Sequence, residues 1–373
     1  MLKCKVCNNK LNSNNLIKLV GAPNSAQNFL KKNKKNKKVN LIIKECSSCG
    51  IIQNINKPVS YYKNVIRAAG FSETMKKFRY NQFNKIKKKY NLKNKKIVEI
   101  GSGPGDYLSI LSKIFKSSYG IENSSSNYKI IKKKKLKIFN CYLNKSNTRI
   151  AKFKFDAFFI FSYLEHVPKF NVFLKAINNN LNDNGIGFIE VPNFEMILKK
   201  KLYSEFITDH IFYFTKSTFK RSLEINGFDV VNIKSIWSNY ILHATVKKRS
   251  ETILKDKKKN FLKMKKKISK FLAKTNKNNS AVWGAGHQSL TILSQIKHDK
   301  LFKYIVDSAQ FKQNKYAPGL KLKVVSPKSM YNDNIKAIVI LAGAFSKEIY
   351  KNIKKNKKNI KILYQKDGYN LSS

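Results

Sequence analysis

Ile97-Val98-Glu99-Ile100-Gly101-Ser102-Gly103-Pro104-Gly105-Asp106-Tyr107-Leu108 decides how this chain is read. Residues of strand character enter a glycine-rich turn, and apolar residues then recur at helical spacing (Leu108, Leu111, Ile114, Phe115). In an open α/β sheet, ligands bind at the carboxyl end of such a strand. Glycine at 101, 103 and 105 lets backbone approach a ligand more closely than a side chain would allow. Two ligand classes compete for a turn of this kind, a dinucleotide and S-adenosylmethionine (SAM). Glu99 discriminates between them. Its carboxylate at the strand end suits the ammonium of a methionine moiety, whereas it repels a pyrophosphate. The next expected strand, Ser118-Tyr119-Gly120-Ile121, ends in Glu122, which is placed to accept from both hydroxyls of a ribose.

Strands and helices keep alternating downstream. Lys137 to Asn140 reads as a third strand. Phe155 to Phe161 is a nearly continuous apolar run, as expected of a central parallel strand buried on both faces. It leads into Ser162-Tyr163-Leu164-Glu165-His166-Val167-Pro168. A helix carrying Phe170, Phe173, Leu174, Ile177 and Leu181 follows, then an Asn184-Gly185 turn, then a strand from Gly187 to Val191 closed by Pro192. With Glu99 and Glu122 at these spacings and a Leu-Glu-His after the fourth strand, the region resembles the class I SAM-dependent methyltransferases. The resemblance implies a Rossmann-like α/β sheet with SAM held by Glu99, Gly101, Gly103, Gly105, Glu122, Ser162 and His166. Two roles stay open for His166: a hydrogen-bonded loop residue beside the cofactor, and a catalytic group.

Composition bounds the rest. A chain of 373 residues predicts two or three domains. The net charge of +55 invites a nucleic-acid reading, yet only five of the 76 basic residues are Arg (Arg67, Arg79, Arg149, Arg221 and Arg249). Surfaces that read bases or clamp phosphates favour the planar fork of Arg. The Lys excess travels with Asn, Ile, Phe and Tyr, which reads as drift toward AT-rich codons and a solvated surface, so no specific nucleic-acid partner is expected. No apolar run is long enough to span a bilayer. Cys4, Lys5, Cys7 and Asn8 interrupt any signal-peptide core. A cytoplasmic monomer acting on a small molecule is expected.

Cys4-Lys5-Val6-Cys7 and Cys46-Ser47-Ser48-Cys49 form two C-x-x-C pairs, 38 residues apart. Each pair can make a knuckle with both thiolates on one side. Four thiolates close a tetrahedral site, the structural kind, with no position left for substrate. Disulfides do not suit a cytosolic setting, and a redox dithiol needs only one pair. Structural Zn2+ on Cys4, Cys7, Cys46 and Cys49 is the expectation. From Tyr61 to Leu92, apolar and aromatic positions recur at helical spacing, a helical collar ahead of the sheet.

After the fifth strand comes Phe206-Ile207-Thr208-Asp209-His210-Ile211-Phe212-Tyr213-Phe214-Thr215, and a helix from Ser217 to Asn226. Lys255 to Lys277 reads as an exposed connecting helix, with a basic membrane-surface helix as the alternative. A second α/β unit begins at Ala281-Val282-Trp283-Gly284-Ala285-Gly286. Its acid, Asp307, sits at the distance of a nicotinamide fingerprint, but Ser289 replaces the third glycine. Strands are expected at Ile335 to Leu341 and, as the last, at Lys361 to Tyr364.

In this order the cysteine knob, the SAM fold and the second Rossmann-like lobe resemble the zinc-containing sugar C-methyltransferases, which act on nucleotide-linked 4-ketohexoses. The marks are the two C-x-x-C pairs, Glu99 to Gly105, Glu190-Val191-Pro192-Asn193, Asp209-His210 through Phe214, Gly284-Ala285-Gly286, and Tyr316 to Gly319. The expected boundaries are 1–57 for a zinc module, 58–250 for the SAM domain, 251–279 for a connecting helix and 280–373 for a C-terminal Rossmann-like domain. The resemblance implies proton abstraction beside a ketone and attack of the enolate on the SAM methyl, with His210 as base and Asp209 its neighbour. Ile207 stands where a Tyr can occur in such enzymes, so the enolate-stabilising group is unassigned. Competing readings are an O- or N-methyltransferase of a small metabolite, a nucleic-acid-binding protein using its Lys-rich surface, and a scaffold without catalysis.

Overall fold

In a computed structural model the chain falls into two compact units, Met1–Ser250 and Glu251–Ser373. The structure describes all residues except 1, 13–15, 28, 30–37, 65–70, 251, 297, 357–358, 368–369 and 373. Part of the expected collar, 65–70, lies outside the described residues.

The first unit opens with strands β1 (Leu16–Pro23), β2 (Lys38–Glu45) and β3 (Ile52–Asn54). Helix α1 (Glu73–Lys89) follows, capped by Ser72, whose hydroxyl accepts from the Met75 N–H. The main sheet is then laid down in alternation: β4 (Lys96–Ile100), α2 (Asp106–Ile114), β5 (Ser117–Glu122), α3 (Ser125–Lys133), β6 (Ile138–Asn140), β7 (Phe155–Phe161), α4 (Phe170–Asn179), β8 (Leu181–Pro192) and α5 (Phe194–Lys199). After these come β9 (Phe212–Tyr213), α6 (Lys216–Ile225), β10 (Phe228–Ile236) and β11 (Ile241–Lys248). Seven strands pair in the order β10-β11-β8-β7-β4-β5-β6, with β11 antiparallel to both neighbours. This is a Rossmann-like α/β sheet with an antiparallel strand inserted near one edge. The turn expected at Asn184-Gly185 is instead a slip in register within β8, where Phe155 faces Leu181 but Ala157 faces Ile186.

The cysteine knob is not a bead beside this sheet. β3 pairs antiparallel with β9, so β1-β2-β3-β9 is one sheet built from both ends of the unit. Cys4, Val6, Leu11, Cys46, Cys49 and Ile51 belong to the same buried cluster as Phe170, Phe212 and Phe214.

The second unit contains α7 (Thr252–Leu272), β12 (Ser280–Trp283), α8 (His287–Ser294), α9 (His298–Leu301), β13 (Tyr304–Val306), β14 (Val324–Val325), α10 (Pro327–Tyr331), β15 (Ala337–Ile340), α11 (Ser346–Asn356), β16 (Lys361–Asp367) and β17 (Asn370–Ser372). Its sheet runs β14-β13-β12-β15-β16-β17, parallel except for the last pair. Two expectations change here. Met264, Ile268 and Leu272, one turn apart on α7, are buried in this unit's core, so the helix is not a free connector. The chain also ends in a hairpin, since β17 folds back on β16. Gly284 closes the first turn so tightly that a Cβ would meet the Leu341 carbonyl oxygen at 2.8 Å. Among the described residues, no helix is long and apolar enough to cross a membrane.

Candidate active site and cysteine cluster

The glycine turn leaves β4 and crosses the end of β5. The N–H groups of Gly101 and Ser102 both donate to the Ile121 carbonyl, at 3.1 and 3.0 Å. Gly101 has φ +75°, and a Cβ there would lie 3.0 Å from the Tyr163 ring, so conformation and space both demand glycine. Gly105 caps α2. Glu122 ends β5 with its Oε2 accepting from the Gly103 N–H and its Oε1 from the Ser124 N–H, both at 2.8 Å. Burial pushes its carboxyl above the ordinary range even so. Each oxygen keeps a lone pair for a ribose hydroxyl. Glu99 is buried on the face of β4 that also carries Ile97. Ser162 leaves β7 with φ +46°, left-handed for a residue with a Cβ. Gly101 and Glu122 line one narrow crevice with Cys141, Tyr142 and Tyr163.

His166 lies apart from that crevice's lining. It ends the short turn Leu164–His166, where its Nδ1–H donates to the Asp209 carbonyl at 2.8 Å. That bond fixes the tautomer and leaves Nε2 as an acceptor, 3.9 Å from Glu165 Oε1. The His166 ring meets the His210 ring edge to face, with centroids 4.8 Å apart. Tyr213 packs on His210 from another side at 5.9 Å. Burial, and then the neighbouring His166, hold His210 well below its ordinary value, so its imidazole is neutral. Burial likewise lowers His166 and lifts Glu165 to about 8.

The Asp209 carboxylate is turned toward other partners than His210. Its Oδ1 accepts from the Ala26 N–H at 2.7 Å, and its Oδ2 accepts from the Tyr61 hydroxyl at 2.6 Å. Burial, reinforced by Asp209, raises the Tyr61 phenol to about 12. Tyr61 and Thr208 line a cavity of about 450 Å³. β3 holds this loop in place. The Asn54 N–H donates to Ile211, and its side-chain amide lies 3.3 Å from the carbonyls of both Thr208 and His210. The Ile211 N–H donates in turn to the Glu165 carbonyl at 2.8 Å. At Ile207, where the sequence lacks a tyrosine, the Tyr213 hydroxyl bonds the backbone instead.

The four N-terminal cysteines converge. Sγ of Cys4 is 3.7 Å from that of Cys49, and Sγ of Cys7 is 3.6 Å from that of Cys46. All four sulfurs lie within 4.8 Å of one another. A disulfide needs about 2.05 Å. A tetrahedron with bonds of about 2.3 Å has edges of about 3.8 Å, so the cluster fits a four-thiolate metal site. The Val6 N–H and the Gln53 side-chain amide donate to Cys4 Sγ, and Arg221 donates to the Cys49 carbonyl at 2.8 Å.

Residues 75–233 match the family model of a methyltransferase domain, and residues 244–363 match that of a C-methyltransferase C-terminal domain. The chain is a methyltransferase. The methyltransferase is also similar to several solved structures. A SAM-dependent methyltransferase from Clostridium acetobutylicum is 13% identical, covering 47% of this chain and 92% of its own at a TM-score of 0.40. The PH0226 protein from Pyrococcus horikoshii is 13% identical over 51% and 98%, at 0.39. A SAM-dependent methyltransferase from Aquifex aeolicus is 17% identical over 44% and 87%, at 0.36. At these scores the likenesses carry no functional weight. No curated protein matches the chain.

In this methyltransferase the structure brings the glycine turn and Glu122 together, and places His166, which the sequence grouped with the cofactor residues, against the Asp209-His210 loop. It gave no hint of Tyr61 or Asn54 as partners of that loop. Tyr61 is 148 positions from Asp209. Glu165 was visible only as the middle residue of a Leu-Glu-His.

Proposed function

We propose that this methyltransferase transfers a methyl group to carbon, on a nucleotide-linked 4-keto-deoxyhexose, with His210 as the base. The observation that carries the reading is the His210 ring, neutral and partly exposed, next in sequence to Asp209, whose partner Tyr61 lines a cavity with Thr208. The match of residues 244–363 to a C-methyltransferase domain supports methylation of carbon rather than of oxygen or nitrogen. Carbon beside a ketone is a poor nucleophile until deprotonated, so this chemistry requires a base. His210 takes the proton from the carbon next to the ketone. Tyr61, kept protonated by burial and by Asp209, donates to the Asp209 carboxylate at the cavity wall and so holds the loop of His210 in place. His166, locked by the Asp209 carbonyl, packs on His210 and orients its ring. SAM, when bound, supplies the electrophilic methyl, and Glu99, Gly101, Gly103, Gly105, Glu122 and Ser162 hold it.

Cys4, Cys7, Cys46 and Cys49 hold structural Zn2+ in this reading. Held there, the ion would tie the Cys4–Cys7 knuckle to the Cys46–Cys49 knuckle that leads into β3, and β3 carries Asn54 to the loop of Asp209 and His210. The ion thus acts on chemistry only through position. The deciding experiment incubates the enzyme with 4-keto nucleotide sugars in deuterated solvent without SAM, then adds SAM. Exchange at the carbon beside the ketone, followed by a new C–methyl bond, is expected. A product methylated on oxygen or nitrogen, with no exchange, overturns the reading.

A further inference from the structure

Three side chains with metal-ligating atoms, Glu165, His166 and His210, converge beside this site. The Nδ1 proton of His166 is committed to the Asp209 carbonyl, so Nε2 presents a lone pair. It presents it toward Glu165 Oε1, 3.9 Å away. Glu165 Oε2 is fully buried and has no hydrogen-bond partner among the described residues. The His210 ring packs edge-on against His166. One ligand atom from each of the three residues lies within 4.8 Å of the others. Lone pairs crowded in dry surroundings repel one another unless a positive charge sits among them.

We propose that Glu165, His166 and His210 form a second metal site, separate from the cysteine cluster, that takes a divalent transition ion. Two imidazoles and one carboxylate suit zinc, cobalt or iron(II), whereas magnesium and calcium want oxygen ligands throughout. His166 already carries the outer bond typical of a metal-ligating histidine, its second ring N–H held by a backbone carbonyl. In a tetrahedral site with bonds of about 2.0–2.2 Å, neighbouring ligand atoms stand about 3.3–3.6 Å apart. The 3.9 Å separation of Glu165 and His166 therefore closes by less than about 0.6 Å. Three protein ligands leave a fourth position open. Glu165 brings the charge that offsets half of the ion's.

The functional consequence rests on His210 being the base. An ion coordinated by His210 takes the lone pair that would receive the sugar proton, so filling this site switches proton abstraction off while SAM binding continues. The rival occupant is a single proton on Glu165.

The test uses the full chain with its cysteine cluster already filled by zinc, titrated with Co2+. One further equivalent should bind, with visible d–d absorption and without the near-ultraviolet charge-transfer bands of a thiolate site. The histidine signals shifted by the paramagnetic ion should be those of His166 and His210. Glu165→Gln should lose this second equivalent and keep the first. Wild-type protein that takes up no second equivalent in large excess of Co2+, or that shifts only His243, His287 or His298, overturns the proposal. These wild-type readouts stand even if the variant does not fold. Solvent exchange of the sugar proton should slow as the site fills and recover on mild chelation. Binding without slowing overturns the switch, whereas failure of exchange in ion-free enzyme overturns the base assignment and leaves the metal measurement intact.

Discussion

Tyr61 donates its phenolic proton to the Asp209 carboxylate at 2.6 Å, across 148 positions of chain. The bond fastens the segment after the cysteine knob to the loop that carries His210. Tyr61→Phe removes the hydroxyl and leaves the ring. Steady-state kinetics should show a loss on the order of 10²-fold in methylation, with SAM affinity by calorimetry unchanged. A parallel loss of SAM binding would show that the pair shapes the cofactor site instead.

His210→Gln should lose on the order of 10²–10⁴-fold in solvent exchange and methylation. The acid limb of the wild-type rate profile should lie below 6.5, because desolvation and the neighbouring His166 keep this partly exposed imidazole neutral to lower pH than a free one. A limb above 6.5 in the wild type would assign the titration to another group.

Glu122→Ala removes the acceptor for ribose hydroxyls and should weaken SAM by about 1.5–3 kcal/mol. The same change frees the N–H groups of Gly103 and Ser124. Amide exchange should therefore rise in the glycine turn, and unchanged SAM affinity would count against the assignment.

Protein purified without added metal should contain one zinc per chain by elemental analysis. Removing it should melt β1-β2-β3 and loosen the loop that Asn54 holds. Asn54→Ala should slow turnover while zinc content is kept. Reduced protein that binds neither zinc nor iron would refute the four-thiolate site.

Glu190, buried in β8, receives the Arg79 guanidinium at 2.6–2.7 Å, the His243 Nδ1–H at 2.9 Å and the Gln82 amide at 2.7 Å. Burial alone would raise its carboxyl, but Arg79 and then His243 and Gln82 outweigh it and bring it down to about 2. A lowered carboxyl stabilises the fold above its unfolded value of 4.5, and that contribution fades as pH falls from there toward about 2. Glu190→Gln strands the Arg79 charge between the Tyr107 and Phe161 rings. It should cost about 3–5 kcal/mol in denaturant unfolding at neutral pH. A cost below about 1 kcal/mol would mean that water reaches Arg79.

Where periodicity is strong and local, the chain is legible. The run from Ile97 to Leu108 shows strand, turn and helix because each is encoded within a few neighbouring residues. The two C-x-x-C pairs are legible for the same reason, since each knuckle is made within four residues. The pairing of β3 with β9 is not, because strands of three and two residues carry no period to detect. The Asn184-Gly185 dipeptide, a turn by composition, falls in the stretch between Leu181 and Ile186 where β8 slips in register against β7, an irregularity that composition alone shows as a turn.

The sequence by itself determined the alternation that builds the parallel sheet, the glycine turn with its acidic partners, and the residue types of the histidine loop. Those follow from backbone sterics and side-chain period, which act over short stretches. Only the tertiary structure decided that the Asp209 carboxylate faces Tyr61, that its carbonyl locks His166, and that Glu165 stands among the histidines. These contacts join segments far apart in the chain, and the loss of water there sets their charge. Neither distance in space nor burial can be read from neighbours in sequence.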